Sequence, residues 1–119
     1  MSYVDGFVIP IATKKLPAYL RMAKKACKIW MEHGALEYRE AIGDDLASDF
    51  GTTFTKQLKL KKGETVVFAW VVYKSKAHRD SVNEKIMQDP RIQKMCDPKN
   101  PPFDMKRMMY GGFKIKVKS

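Results

Sequence analysis

Histidine and cysteine are scarce in this chain, with two of each among 119 residues. His33 and His78 stand in no metal-ligand spacing with each other or with Cys27 and Cys96, and neither cysteine belongs to a CxxC pair. No metal site and no cofactor are therefore expected. Cys27 falls on the apolar side of a helical stripe and reads as a core thiol; Cys96 follows a short helical turn, near Arg91 and Lys94. No apolar run is long enough to span a bilayer. The start, Met1 to Val8, reads directly as a strand and not as a secretory leader. The expected location is cytoplasmic, with no membrane partner. No catalytic signature is present, which leaves enzymatic and non-enzymatic readings both open.

Acidic residues are also few. Lys and Arg total 23 against 13 Asp and Glu, a formal net charge of +10. The excess is uneven: residues 91–119 hold eight basic and two acidic groups, whereas 41–55 hold Asp44, Asp45 and Asp49 and no base. Such a balance favours acidic partners or simple solubility. The three aspartates resemble no complete calcium loop and read as a turn.

What the chain does have is one strand that is apolar throughout. In Thr65–Tyr73, one parity is Val66, Phe68, Trp70 and Val72; the other is Val67, Ala69, Val71 and Tyr73. A strand apolar on both sides must be covered on both sides. The length fits one domain, 1–119, with a core that buries roughly two thirds of the unfolded surface. Two helices in so short a chain cover one face of a small sheet. A second copy is the natural cover for the other.

The remaining elements follow from periodicity. Tyr3–Ile11 reads as the first strand. Leu16–His33 is a helix whose apolar stripe runs Leu16, Tyr19, Leu20, Ala23, Ala26, Cys27 and Trp30, with Thr13 able to cap its start and Gly34 to end it. Ala35–Gly43 is a second strand, with Leu36, Tyr38 and Ile42 on one parity and Glu37 and Arg39 on the other. Phe54–Leu60 reads as a strand turning through Lys61-Lys62-Gly63-Glu64 into Thr65–Tyr73. Ser75 caps a helix through Met87, Asp89-Pro90 opens a shorter one, and Cys96–Phe103 is irregular. Met105–Val117 reads as the last strand, and its Lys114, Lys116 and Lys118 alternate with Phe113, Ile115 and Val117. The order is β-α-β-β-α-β with an extra hairpin arm, which suits an α+β, ferredoxin-like sheet carrying two helices on one face.

Several stretches carry a resemblance. Asp5-Gly6-Phe7-Val8, Phe68-Ala69-Trp70, Asp89-Pro90-Arg91, and Phe103-Asp104 followed by Lys106 through Phe113 resemble the YbaA-like family of small uncharacterised bacterial proteins, over about residues 3–113. The resemblance implies the dimeric α+β barrel superfamily, in which two ferredoxin-like protomers meet sheet to sheet. It carries over no catalytic residue, because the family has no established activity. Some relatives carry an RNA-related label, for which no residue here gives a basis.

The binding candidates are Trp70, Arg107, Tyr110, Met108 and His33. Trp and Tyr bring apolar bodies with a polar handle, and Arg107 suits the bidentate grip of an anionic group. Met108 and Tyr110 share one parity of the last strand and Arg107 and Met109 the other, so one face takes all four only with a bulge. His33 also suits the C-terminus of the first helix, and His78 and Arg79 beside Asp80 read as a surface ion pair. The expectation is a homodimer that binds a small molecule between helices and sheet. The alternatives are a basic nucleic-acid-associated protein and an interaction dimer without catalysis. Against the first, an RNA-recognition sheet displays its aromatics within a Gly-rich basic motif, whereas Phe68 and Trp70 are flanked by valines.

Overall fold

The computed structural model describes residues 2–95, 99 and 101–119. The elements are β1 (Tyr3–Ala12), α1 (Leu16–Glu32), β2 (Glu37–Ile42), α2 (Phe54–Gln57), β3 (Glu64–Tyr73), α3 (Lys76–Gln88), α4 (Pro90–Met95) and β4 (Met109–Lys114). The four strands form one sheet in the order β2-β3-β1-β4, and every neighbouring pair is antiparallel. With its helices, this is an α+β ferredoxin-like arrangement with a covered and an open face.

Local chemistry sets the helix ends. Pro17 sits in the first turn of α1, where its missing N–H is no loss. Thr13 does not cap that helix; it opens a 3₁₀ turn, Thr13–Lys15, that leads into it. Gly34 has φ of +109°, a backbone conformation that disfavours any side chain, and it turns the chain from α1 toward β2. Ser75 accepts from His78 N and caps α3.

β3 is the central member of the covered side. Its Val67, Ala69, Val71 and Tyr73 are buried beneath Tyr19, Ala23 and Ile29 of α1 and Val82 and Ile86 of α3, with Ile9 and Ile11 of β1 alongside. Each such aliphatic side chain contributes about 1.5–3 kcal/mol when taken out of water. The opposite parity of β3 has no long helix over it among the described residues. Val66 is buried there beside Leu46 and Phe54 of the 44–58 excursion, but Phe68 stays half-exposed. Val4, Val8, Phe68, Trp70, Val72, Met109 and Phe113 line a concave open surface of about 730 Å³.

Two expected strands change. Phe54–Leu60 begins with the short helix α2, capped by the Thr53 hydroxyl, and is not a hairpin arm. The last strand starts only at Met109, because Asp104 accepts from Lys106 N and winds Met105–Arg107 into a 3₁₀ turn. It also ends early: after Lys114 pairs with Tyr3, Ile115 N donates to Ser2 O and the pairing stops. Ile115 is half-buried, whereas Val117 is exposed and finds no apolar cover within the protomer. Cys27 is half-buried, and Cys96 lies outside the described residues.

Arg79 is the larger surprise. It makes the expected pair with Asp80, Nε to Oδ1 at 2.8 Å, but its side chain is largely buried. Its Nη1 donates to Oδ1 of Asp5 on β1 and to the Tyr110 hydroxyl, both at 2.8 Å, and its guanidinium lies over the Tyr3 ring. Asp5 is 2% exposed. Burial pushes its carboxyl upward, against the pull of Arg79 in the other direction. This pair ties α3 to the sheet at the β1–β4 seam. Arg79→Met should cost about 3–5 kcal/mol, because it leaves a buried carboxylate without its cation. Asp5→Asn should cost less, since Arg79 keeps Asp80. Urea unfolding at pH 7 and pH 5 checks this: the Arg79→Met deficit should shrink at the lower pH, as Asp5 takes up a proton. If Asp5→Asn is the more damaging change, the pair does not hold the seam in this way.

Candidate functional site

A cavity of about 230 Å³ lies between α1, α4 and the covered side of the sheet. Its walls are mostly apolar: Phe7, Ile9, Met22, Ala26, Trp30, Ile92 and Phe103 among others. Small residues on α1, Ala23 and Ala26, leave the space between helix and sheet that larger ones would fill.

One carboxylate interrupts this apolar lining. Tyr38 and Glu40 stand two apart on β2, so both face the helices. Tyr19 reaches them from α1. The Tyr19 hydroxyl donates to Glu40 Oε1, and the Tyr38 hydroxyl donates to Oε2 at 2.7 Å. Burial pushes both phenols well above the ordinary tyrosine range, and the hydrogen bonds to Glu40 push them further. The rings also form the walls: Trp30 lies 6.0 Å from Tyr38, and Phe103 packs edge-on to Tyr19 at 5.9 Å. Trp30 Nε1 donates to the Tyr73 hydroxyl at 3.2 Å, and burial pushes the Tyr73 phenol up to about 12. A half-buried carboxylate held by two phenols is a fixed acceptor at the edge of an apolar space. It has room for a further donor from a ligand.

The expected site residues do not converge there. Met108 lines the cavity. Trp70 is on the open face, where Nε1 donates to Glu37 Oε2 at 2.8 Å. Tyr110 accepts from Arg79 and packs 4.9 Å from Phe7. His33 ends α1, with its backbone N–H on Ile29 O and its Nε2 2.8 Å from Asp89 Oδ2. Arg107 does not reach the cavity. It grips Glu64 in bidentate fashion at 2.7 and 3.0 Å, and that hydrogen bonding brings the Glu64 carboxyl down to about 2. The anionic anchor expected of Arg107 is thus taken up by a carboxylate of the chain itself. Among the described residues no group of His, Cys, Asp and Glu is placed to hold a metal ion, and the aspartates 44, 45 and 49 are exposed.

Sequence reasoning missed Glu40. Its signal was parity: it alternates in step with Tyr38 and Ile42, the inward set of β2, so a charged residue stood where the pattern asks for an apolar one.

Comparison with known proteins agrees with this fold. The family described as "Protein of unknown function (DUF1428)" matches residues 2–105. The chain is 43% identical over 113 residues to "Uncharacterized protein YbaA" of Escherichia coli K12, covering 95% of each. Among solved structures it is similar to an uncharacterized NIPSNAP domain protein from Burkholderia xenovorans, with a TM-score of 0.57 at 17% identity over 97% of this chain and 95% of the other. It is also similar to a dimeric ferredoxin-like protein from an uncultured marine organism, with a TM-score of 0.55 at 8% identity over 99% and 98%. At such identities the structural likeness speaks for the fold alone.

The buried phenols predict an alkaline limit. Tyr19, Tyr38 and Tyr73 hold their protons in the folded state beyond the ordinary value near pH 10. Their contribution to stability is therefore complete below about pH 10 and is lost as pH rises above it. Thermal melts between pH 9 and pH 11 should show a falling midpoint, and tyrosinate absorbance from these three should rise only with unfolding. Absorbance that rises with an ordinary value while the fold persists would show the phenols to be open to solvent.

Proposed function

The chain belongs to the DUF1428 family, and we propose that it works as a homodimer of single-domain ferredoxin-like protomers, each binding a small molecule in the cavity between helices and sheet. The observation that carries the binding reading is the Tyr19–Glu40–Tyr38 cluster at the edge of an otherwise apolar cavity. Ligand sites are commonly apolar spaces with a few placed polar groups. A carboxylate that served packing alone would be replaced at no loss by an apolar side chain.

The dimer reading rests on the open face. Phe68, Met109 and Phe113 are 46, 58 and 61% exposed on one concave surface. An apolar patch of that kind on one side of a sheet marks an interface. A structural neighbour described as dimeric agrees with self-association. The partner proposed for this face is a second copy and not a nucleic acid. Glu37 is the one charged residue among the described lining, and it would repel phosphates.

Two measurements test these readings separately. Sedimentation at micromolar concentration should give twice the chain mass of 13.7 kDa. Phe68→Lys, at a half-exposed position, should give a folded monomer; a wild-type monomer would sink the dimer. For the cavity, Trp30 and Trp70 provide two indole N–H signals, one in the cavity and one on the open face. Small aromatic fragments should shift the Trp30 signal and leave Trp70 in place. Ala26→Phe, which fills the space, should abolish the shift. Fragments that move only Trp70, or neither, would remove the cavity as a ligand site.

A further inference from the structure

Granting that the cavity is a ligand site, as proposed above, we infer that it is built for a small organic cation, an ammonium group on an apolar body, with Glu40 as its counter-ion. The carrying observation is how the sheltered carboxylates of the chain are neutralised. Asp5 has Arg79 at 2.8 Å, Asp89 has Arg91 and His33 at 2.8 Å, and Glu64 has Arg107 at 2.7 Å. Glu40 is the exception. Among the described residues no lysine, arginine or histidine nitrogen lies within ion-pair distance of it, and its polar contacts are two neutral phenols. The one basic side chain in the described lining is Arg39. That guanidinium is 63% exposed and lies 3.7 Å from Glu37, on the opposite parity of β2.

Phenol donors stabilise a carboxylate without cancelling its charge. A charge taken partly out of water gains most from a cation that arrives with its own apolar body and displaces the remaining solvent. The surroundings suit such a group. Each carboxylate oxygen accepts one phenol and has a lone pair left for an N–H donor. Trp30, Tyr38, Tyr19 and Phe103 present aromatic surface, and a cation gains from the negative face of such rings. The volume of about 230 Å³ exceeds the roughly 150 Å³ that accommodates benzene, which leaves room for a ring with a short substituent. An anion would meet the unneutralised carboxylate, and a neutral molecule would leave its charge as it was.

The test compares benzylammonium, benzyl alcohol and phenylacetate at pH 7, read by the Trp30 indole signal. Benzylammonium should bind on the order of tenfold more tightly than benzyl alcohol, and phenylacetate should bind weakest. Glu40→Gln keeps the shape and removes the charge, so it should bring the ammonium and the alcohol to parity. Tyr38→Phe keeps the charge and should retain the ammonium preference, which covers the case in which Glu40→Gln folds poorly. If benzyl alcohol or phenylacetate binds as well as benzylammonium to the wild type, the cation reading is overturned while the cavity remains a ligand site. If none of the three shifts Trp30, both readings fall. A preference for benzylammonium that persists unchanged in folded Glu40→Gln also overturns the role given to Glu40.

Discussion

β3 is apolar on both faces, and the arrangement of everything else follows from covering it. One parity, Val67 to Tyr73, is met by α1 and α3 and by the inward residues of β1. The other is met within the chain at Val66 and at one edge of Phe68, beside Leu46 and Phe54. The described residues include no third long helix with which to cover Phe68, Trp70 and Val72. A sheet with one open apolar face is uncommon in a protein that stays monomeric. The same constraint fixes register. A slip of one residue on β3 would turn Phe68 and Trp70 under the helices and carry Val67, Val71 and Tyr73 out of the core.

Elsewhere the fold is tied by guanidinium–carboxylate pairs placed at seams. Arg79 joins α3 to β1 and β4 through Asp5 and Tyr110. Arg91 and His33 join the end of α1 to the α3–α4 junction through Asp89, and Arg91 also reaches Glu32. Arg107 joins the turn before β4 to the start of β3 through Glu64. The planar fork of arginine suits the two-point grips of Arg91 on Asp89 and of Arg107 on Glu64, which a lysine would not reproduce. The basic excess therefore has two physical parts: arginines that hold elements together, and a lysine-rich remainder that gives the chain its net charge.

Much of this was readable from spacing. β1, α1 and β3, the Pro17 and Ser75 helix starts and the Asp89-Pro90 restart all follow from local periodicity and capping chemistry, and the structure places them where the pattern does. The errors share a cause. Phe54–Leu60 alternates like a strand, but Thr53 caps a helical turn there and the packing of Phe54 against Phe68 decides the matter. Arg79 looked like a surface partner of Asp80 alone, and Arg107 looked available, because Asp5 and Glu64 are 74 and 43 positions away. Long-range pairing of charges leaves no periodic trace, so a site built around Arg107 had the right residue type for an anion and the wrong surroundings.

Glu40 shows the opposite case, a residue whose strangeness was local and still passed over. Strand parity alone places it inward with Tyr38 and Ile42. A short inward strand position tolerates a carboxylate only when donors meet it, and two phenols do so here without bringing positive charge. The phenols also cannot leave easily, since Tyr19 is almost wholly buried by the core beneath α1. The cluster is therefore fixed by the same packing that covers β3, and its acceptor points into the one stretch of that interface where Ala23 and Ala26 leave space. Packing for stability would fill such a space and remove such a charge. That this chain does neither is the physical ground of the ligand-binding proposal.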